Sequence, residues 1–122
     1  MPSASQRTGA HAENLAAEFL RGEGFEILGR NYLRRLGELD IVARRAQLLV
    51  VAEVRTRSSA AYGGAAASID RRKQRRIART TASLLQRHAE LARLPVRFDV
   101  IVVSDPSSEA PRLEWIRHAF EA

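Results

Sequence analysis

The amino-acid sequence predicts an α/β fold, a mixed β-sheet flanked by helices in the order α-β-β-β-α-β-β. Three features predict it. Two stretches repeat apolar residues at i, i+3, i+4 and i+7, the period of an amphipathic helix. Five shorter stretches have strand-like composition. One of these contains LLVVA, which is apolar without alternation and so marks a central strand covered on both faces.

The first helix is expected over 9–23. Ala12, Leu15, Ala16, Phe19 and Leu20 form its stripe, and Gly24 follows as a C′ residue. FEILGRN (25–31) reads as a short strand, and GELDIVAR (37–44) alternates as a second. The third strand, 47–55, joins the second through a tight Arg-Arg-Ala-Gln turn, so the two form a hairpin. Residues 58–67 are too rich in Gly and Ala for a strand and are expected to form a flexible loop. Ser68 then caps a long helix over 69–94, which Pro95 ends. That helix is almost wholly charged from Asp70 to Arg76. It then carries Ile77, Ala78, Thr81, Leu84, Leu85, His88, Leu91 and Ala92 on one face. VRFDVIVV (96–103) and RLEWIR (112–117) are the last strands, the second near an edge. If strands three and four are parallel, the crossover between them is expected to be right-handed.

A chain of 122 residues suits one domain, 1–122, with the polar residues 1–7 expected to be disordered. The absence of cysteine excludes disulfides, a thiolate nucleophile and a sulfur-built zinc site. The opening MPSASQRTGAHAE has no apolar segment of a secretory signal, and no run approaches the roughly 18 apolar residues of a membrane span. A cytoplasmic protein that does not engage membranes is expected. The net charge of +6 suits a polyanionic partner. Lys73 is the one lysine among 20 basic residues, and the arginine excess, spread along the whole chain, reads as coding bias.

The chemistry-bearing stretch is GELDIVARRAQLLVVAEVRTR (37–57). Asp40 sits among Leu39, Ile41 and Val42, and Glu53 ends the most apolar run. Burying an unpaired carboxylate costs on the order of several kcal/mol or forces it to neutralise. Alternation places Leu49, Val51, Glu53 and Arg55 on one face of strand three, and Glu38 and Asp40 together on strand two. A loop with an odd residue count is expected to set Asp40 directly opposite Glu53, with Cβ atoms ~4.5–5.5 Å apart. An even loop would offset them by one position unless a bulge restores the pairing. Convergence is the expectation. Two carboxylates so close need a cation or a shared proton between them. Oxygen ligands of this kind suit Mg²⁺ or Mn²⁺, which would lower the pKa of a bound water and stabilise charge on a phosphate. The competing reading is an ion-pair network in which Arg55 and Arg57 hold both acids.

The basic cluster Arg71, Arg72, Lys73, Arg75, Arg76 and Arg79 is either a solvated helix face or a track for a phosphate backbone; its place beside the candidate site favours the track. Tyr62 either stacks on a base or anchors its loop. Glu13 is a helix-surface acid on residue type alone. Glu38 either assists metal binding or pairs with Arg34 or Arg35. Asp99, between Phe98 and Val100, reads as a structural hydrogen-bond acceptor, and Trp115 as core or an edge contact. His11, His88 and His118 show no ligand spacing.

G-E-L-D-I-V, V-A-E-V-R-T-R, Tyr62-Gly63-Gly64 and Lys73-Gln74 closely resemble the YraN-type family, uncharacterised protein family 0102. Thr8-Gly9 with Glu13, Arg97-Phe98-Asp99-Val100, Glu114-Trp115-Ile116 and Ala119-Phe120 extend the match, in order, over about residues 8–120. That family is similar to the restriction-endonuclease-like superfamily, especially archaeal Holliday-junction resolvases. The resemblance implies that Glu13 is the helix acid, Asp40 the main metal ligand and Glu53 the second. It also implies that Gln74 is the helix glutamine, positioning water or substrate. The superfamily's Glu-x-Lys lysine is Arg55 here, and arginine, which keeps its charge throughout, cannot act as a base. Arg55 is then a phosphate clamp, or the site has lost catalysis and kept binding, or Lys73 takes the lysine's role.

The expected function is a nuclease-like protein hydrolysing DNA or RNA phosphodiesters with Mg²⁺ or Mn²⁺. Its catalytic set is Glu13, Asp40, Glu53, Arg55 and Gln74. Nucleic acid would be bound by Arg57, Tyr62, Arg71, Arg72, Lys73, Arg75 and Arg76. The alternatives are a non-catalytic nucleic-acid-binding module and a protein-interaction module using the basic helix. The resolvase likeness implies a homodimer.

Overall fold

The computed structural model describes residues 3–34, 37–58 and 68–121. Seven elements follow the expected order: α1 (Ala4–Gly22), β1 (Glu26–Arg34), β2 (Gly37–Arg45), β3 (Leu48–Arg57), α2 (Arg71–Arg87), β4 (Val96–Ser104) and β5 (Arg112–Phe120). The five strands form one mixed sheet in the order β1-β2-β3-β4-β5. β3 and β4 are parallel and joined through α2, while the other neighbours are antiparallel.

β3 lies at the centre, and its alternation feeds two cores. Leu49 and Val51 pack with Ile77, Leu84, Val100 and Val102. Val50 and Ala52 pack on the other face with Ala12, Ala16, Leu20, Ile101 and Val103. An unalternating apolar run is what a strand needs when α1 covers one face and α2 the other.

α1 begins at Ala4 rather than at residue 9, because nothing in residues 4–8 breaks a helix (Pro2 precedes it). It ends as expected, with Gly24 at φ 88. α2 differs at both ends from the 69–94 expectation. Its N-cap is Asp70, whose Oδ1 accepts the Lys73 N–H at 2.8 Å, and not Ser68. It stops at Arg87 with His88 as C-cap. The chain must bring Pro95 beside Leu49, whose N–H donates to the Pro95 carbonyl at 3.0 Å. A helix continued to 94 would carry it past that point. Leu91 and Leu94 still reach the core, from turns held by bonds to His88 and Leu91 carbonyls.

The β2–β3 turn consists of Ala46 and Gln47, an even count, with Ala46 at φ 53. The parity expectation is therefore inverted. Pairs run from Arg45↔Leu48 to Ile41↔Ala52, so each step outward moves one residue along both strands and reaches Asp40 opposite Glu53. An even turn is the one that aligns them.

Buried Asp99 is structural, as expected. It takes two 2.9 Å bonds from Arg97, one of 2.9 Å from Trp115 Nε1 and one of 3.0 Å from the His118 N–H. These bonds close the irregular end of the β4–β5 ladder, where Phe98 pairs with Phe120 and His118 has φ 53. Trp115 meets Phe19 and Phe25 edge-on at 5.5 and 6.1 Å.

Candidate active site

The site begins where the first hairpin bends. Ile41 packs on the α1 side of the sheet, but Leu39, two residues away, packs on the α2 side. A regular strand would keep both on one face. On β1 the same switch falls at Asn31, which adopts φ 53, a conformation asparagine tolerates better than most residues. The β2–β3 pairs end at Ile41↔Ala52, and Asp40 is the next residue of β2.

Two carboxylates take over the hydrogen bonds that the ladder leaves. The Asp40 N–H donates to Glu53 Oε2 at 3.3 Å, and the Val54 N–H donates to Asp40 Oδ2 at 2.8 Å. The expected convergence of Asp40 and Glu53 is present, and each acid is fixed by the backbone of the opposite strand. Glu53 is only 1% exposed. Burial pushes its carboxyl up to about 8, and repulsion from Asp40 adds to the shift. Burial also raises Asp40, against the Val54 N–H, Lys73 and Arg55, which favour its charged form. Without a cation between them, the two acids resist being charged together.

α2 supplies one cation. Ile77, Thr80, Thr81 and Leu84 form its buried face, and Lys73 lies one turn before Ile77 on the same stripe. The stripe therefore aims Lys73 back at β3. Its Nζ stands 3.9 Å from Glu53 Oε1. Lys73 is one of the candidates for the missing lysine's role, and its i, i+4 spacing to Ile77 gives its direction.

Asp40 borders two openings. The larger, about 810 Å³, is lined by Gly9, Ala10, Glu13, Asn31, Glu38, Asp40, Val54, Arg55, Thr56 and Lys73. The smaller, about 200 Å³, lies towards α2 and adds Glu53 and Arg76. Glu38, Asp40 and Lys73 border both. Glu13 is brought to this site as expected. It is nearly buried, held by Arg30 Nε at 3.0 Å, and raised mainly by burial. Arg30 and Asn31 were not anticipated; one anchors the helix acid and the other makes the bend.

Other expected residues lie elsewhere. Gln74 does not reach the carboxylates: Nε2 donates to the Ile69 carbonyl at 2.7 Å, and the side chain borders a separate cleft with Arg71, Arg75 and Glu121. Its neighbour Lys73 occupies the sheet-facing stripe, so position 74 is turned about 100° away, as the helix period of 3.6 requires. Arg71, Arg72, Arg75 and Arg76 are exposed; Arg76 alone of these borders the carboxylates. Arg57 donates to Ser104 Oγ at 3.0 Å and faces a neighbouring cavity. Of the ion-pair reading, Arg55 does favour the charged form of Asp40, and it is Lys73 that stands at Glu53. Tyr62 lies outside the described residues.

The donor set fits a hard divalent ion with few protein ligands. Among the described residues, no three His, Asp or Glu side chains gather as a ready-made metal cluster. Mg²⁺ commonly binds one or two carboxylates and completes its shell with water and substrate phosphate. Asp40 and Glu53 would hold it.

The model of the uncharacterised protein family UPF0102 matches residues 12–103. A UPF0102 protein of Alkalilimnicola ehrlichii is 43% identical over 121 residues, covering 99% of this chain and 92% of its own. One from Pseudomonas aeruginosa is 43% identical over 119 residues, covering 97% and 95%. One from Methylococcus capsulatus is 45% identical over 115 residues, covering 94% and 91%. The matched span contains Glu13, Asp40, Glu53, Arg55 and Lys73.

Proposed function

We infer that this chain, which belongs to the uncharacterised protein family UPF0102, is a divalent-metal-dependent hydrolase of nucleic-acid phosphodiesters. The observation that carries this reading is the carboxylate pair. Buried Glu53 and half-buried Asp40 meet just beyond the last β2–β3 pair, where Asp40 borders a polar cavity of about 810 Å³. A purely structural role would leave two acids raised by burial, Glu53 also by repulsion from Asp40, where an apolar pair would be more stable.

A divalent ion bound there supplies an activated water and charge stabilisation on phosphate. The chain's own groups do the rest. The Val54 N–H fixes Asp40, and the Asp40 N–H fixes Glu53, so both oxygen donors are preorganised by backbone. Arg55 borders the cavity and offers a guanidinium to a phosphate, where its permanent charge is an advantage. Lys73, held at Glu53 from α2, supplies the ammonium that the Glu-x-Arg sequence of β3 lacks. Arg30 neutralises Glu13 at the cavity wall and keeps that acid from repelling the substrate. The exposed arginines of α2 give the polyanion its approach. No described helix is long and apolar enough to cross a membrane.

The test is a titration of Mg²⁺ and Mn²⁺ into wild-type and Asp40→Ala protein with branched, single-stranded and duplex DNA and RNA. Cutting by the wild type alone is the expected result. Binding without cutting, indifferent to chelator and to Asp40→Ala, would support the second reading, a non-catalytic nucleic-acid-binding module. No nucleic-acid binding at low salt would leave a protein-interaction module.

A further inference from the structure

β3 ends in Glu53-Val54-Arg55-Thr56-Arg57, and its alternation is chemically regular. Glu53 faces the smaller opening, and Arg55 borders the cavity that contains Asp40. Arg57 borders a third cavity, of about 390 Å³, lined also by Thr8, Thr56, Ser58, Asp105, Pro106, Ser107 and Ser108. Thr56 is a wall of both the Arg55 cavity and the Arg57 cavity, so the two are adjoining compartments. α1 runs along the pair as well, with Gly9 and Ala10 at one and Thr8 at the other.

Residues two apart on a strand are separated by roughly 6.6–6.8 Å. That is comparable with the spacing of successive phosphates along an extended polynucleotide. The third cavity has the chemistry of a phosphate site: one guanidinium surrounded by Ser and Thr hydroxyls. Its frame is built. Arg57 Nε is anchored on Ser104 Oγ at 3.0 Å, and the Asp105 N–H donates to the Arg57 carbonyl at 2.8 Å. Ser108 closes the opposite wall through its N–H and hydroxyl, both donating to the Asp105 carbonyl. Asp105 is the one acid at the rim, against which the guanidinium and hydroxyls must prevail.

We propose that the Arg57 cavity is a second phosphate-binding station, which holds the phosphate next to the one at Arg55. The ligand is a single strand, or a frayed end, of nucleic acid running along the end of β3. This inference rests on the nucleic-acid reading of the carboxylate site and extends it to the path of the strand.

The experiment is binding of a fluorescent single-stranded oligonucleotide, measured in chelator over a range of salt, so that no cutting is needed. Arg57→Ala should weaken binding about tenfold and reduce the slope of log K against log salt by about 0.7, the value for one phosphate on a single strand. Arg57→Gln, which keeps a donor for Ser104, should do the same. Ser104→Ala removes the anchor but not the charge and should leave the slope unchanged. Arg55→Ala should cost a similar slope, and the double variant about 1.4, because two phosphates are held. If Arg55 and Arg57 share one phosphate, the double variant will fall no further than either single one, and the proposal fails. An unchanged slope in Arg57→Ala and Arg57→Gln likewise overturns it while leaving the carboxylate site's function standing. Failure of the wild type to bind single strands would overturn this inference, and the nucleic-acid reading would fall with it only if branched and duplex substrates also went unbound.

Discussion

The Lys73 ammonium lies 3.9 Å from the Glu53 carboxylate, across the space between α2 and β3. The two residues are far apart in sequence, and the lysine comes from a helix whose other basic side chains mostly face solvent. Lys73 borders both openings at Asp40. It therefore stands where a lysine on β3, in place of Arg55, would be expected to act. If Lys73 helps position the attacking water and neutralise the transition state, Lys73→Ala should lower the single-turnover rate by about 10²–10³-fold. Lys73→Arg should remain defective, since a broad planar guanidinium does not reproduce the placement of a compact ammonium. Wild-type rates in Lys73→Arg would reduce the residue to charge neutralisation.

Asp40→Asn separates metal binding from folding. The amide oxygen can still accept the Val54 N–H, and the repulsion on Glu53 is relieved. The metal-free variant should melt at or above the wild-type Tm. Mn²⁺ should raise the Tm of the wild type, by a stabilisation of about 2.7 kcal/mol at a hundredfold excess over Kd, and leave the variant unmoved. Equal Mn²⁺ shifts in both proteins would remove Asp40 from the ligand set.

The Glu53 carboxyl makes the metal-free stability depend on pH with a definite sign. Its folded pKa is raised from 4.5 to about 8, so between these values the folded state binds more protons than the unfolded one. Stability then falls as pH rises through this window, and the loss is complete above about 8. Glu53→Gln should flatten that slope and raise the Tm at pH 8 by several degrees relative to wild type, at about 4 °C per kcal/mol. A wild-type Tm rising from pH 5.5 to 8 in chelator, in parallel with Glu53→Gln, would contradict the buried pair.

Asp99 gives a contrasting case, an acid wholly committed to structure. It is fully buried, and four hydrogen bonds from Arg97, Trp115 and His118 satisfy it. Asp99→Ala strands the Arg97 guanidinium and the indole N–H, and should cost about 3–5 kcal/mol in urea unfolding. Nucleic-acid affinity per folded molecule should be unchanged. A loss of less than about 1 kcal/mol would show that the β4–β5 end is held by its aromatic packing instead.

The strands were legible because their burial follows from composition. Leu48 to Ala52 reads as a doubly covered strand, and one hairpin predicts the convergence of Asp40 and Glu53, but the turn parity that aligns them is the opposite of the one expected. Direction was harder to read. Lys73 and Gln74 are adjacent and equally polar, yet one faces Glu53 and the other bonds Ile69. Only the phase of the helix, set by Ile77, Thr80 and Leu84 further along, separates them. The bend at Asn31 and Asp40 was illegible for a different reason. Periodicity assumes a straight strand, and the shift of Leu39 to the opposite face is a tertiary effect of α2 packing there. The end of α2 failed likewise: Leu91 and Leu94 kept a helical spacing while the need to start β4 beside Leu49 turned the chain.

The outer face of α2 provides the last prediction, and it distinguishes approach from chemistry. Arg71, Arg72 and Arg75 are exposed, and none of them borders the openings at Asp40. Their charge can act on a polyanion only through long-range attraction or by touching its backbone. Replacing all three with Gln should lower the salt slope by up to about 0.7 for each phosphate no longer neutralised on a single strand, or about 0.9 on a duplex. It should raise KM at physiological salt and leave the saturated single-turnover rate within about twofold, because no group near Asp40, Glu53 or Lys73 has changed. The Lys73 variants should show the opposite split, with kcat falling and affinity nearly kept. If the triple variant instead reduced kcat with KM unchanged, the helix would have to touch the reacting phosphate, and the assignment of Lys73 and Arg76 as the α2 residues nearest the chemistry would be wrong.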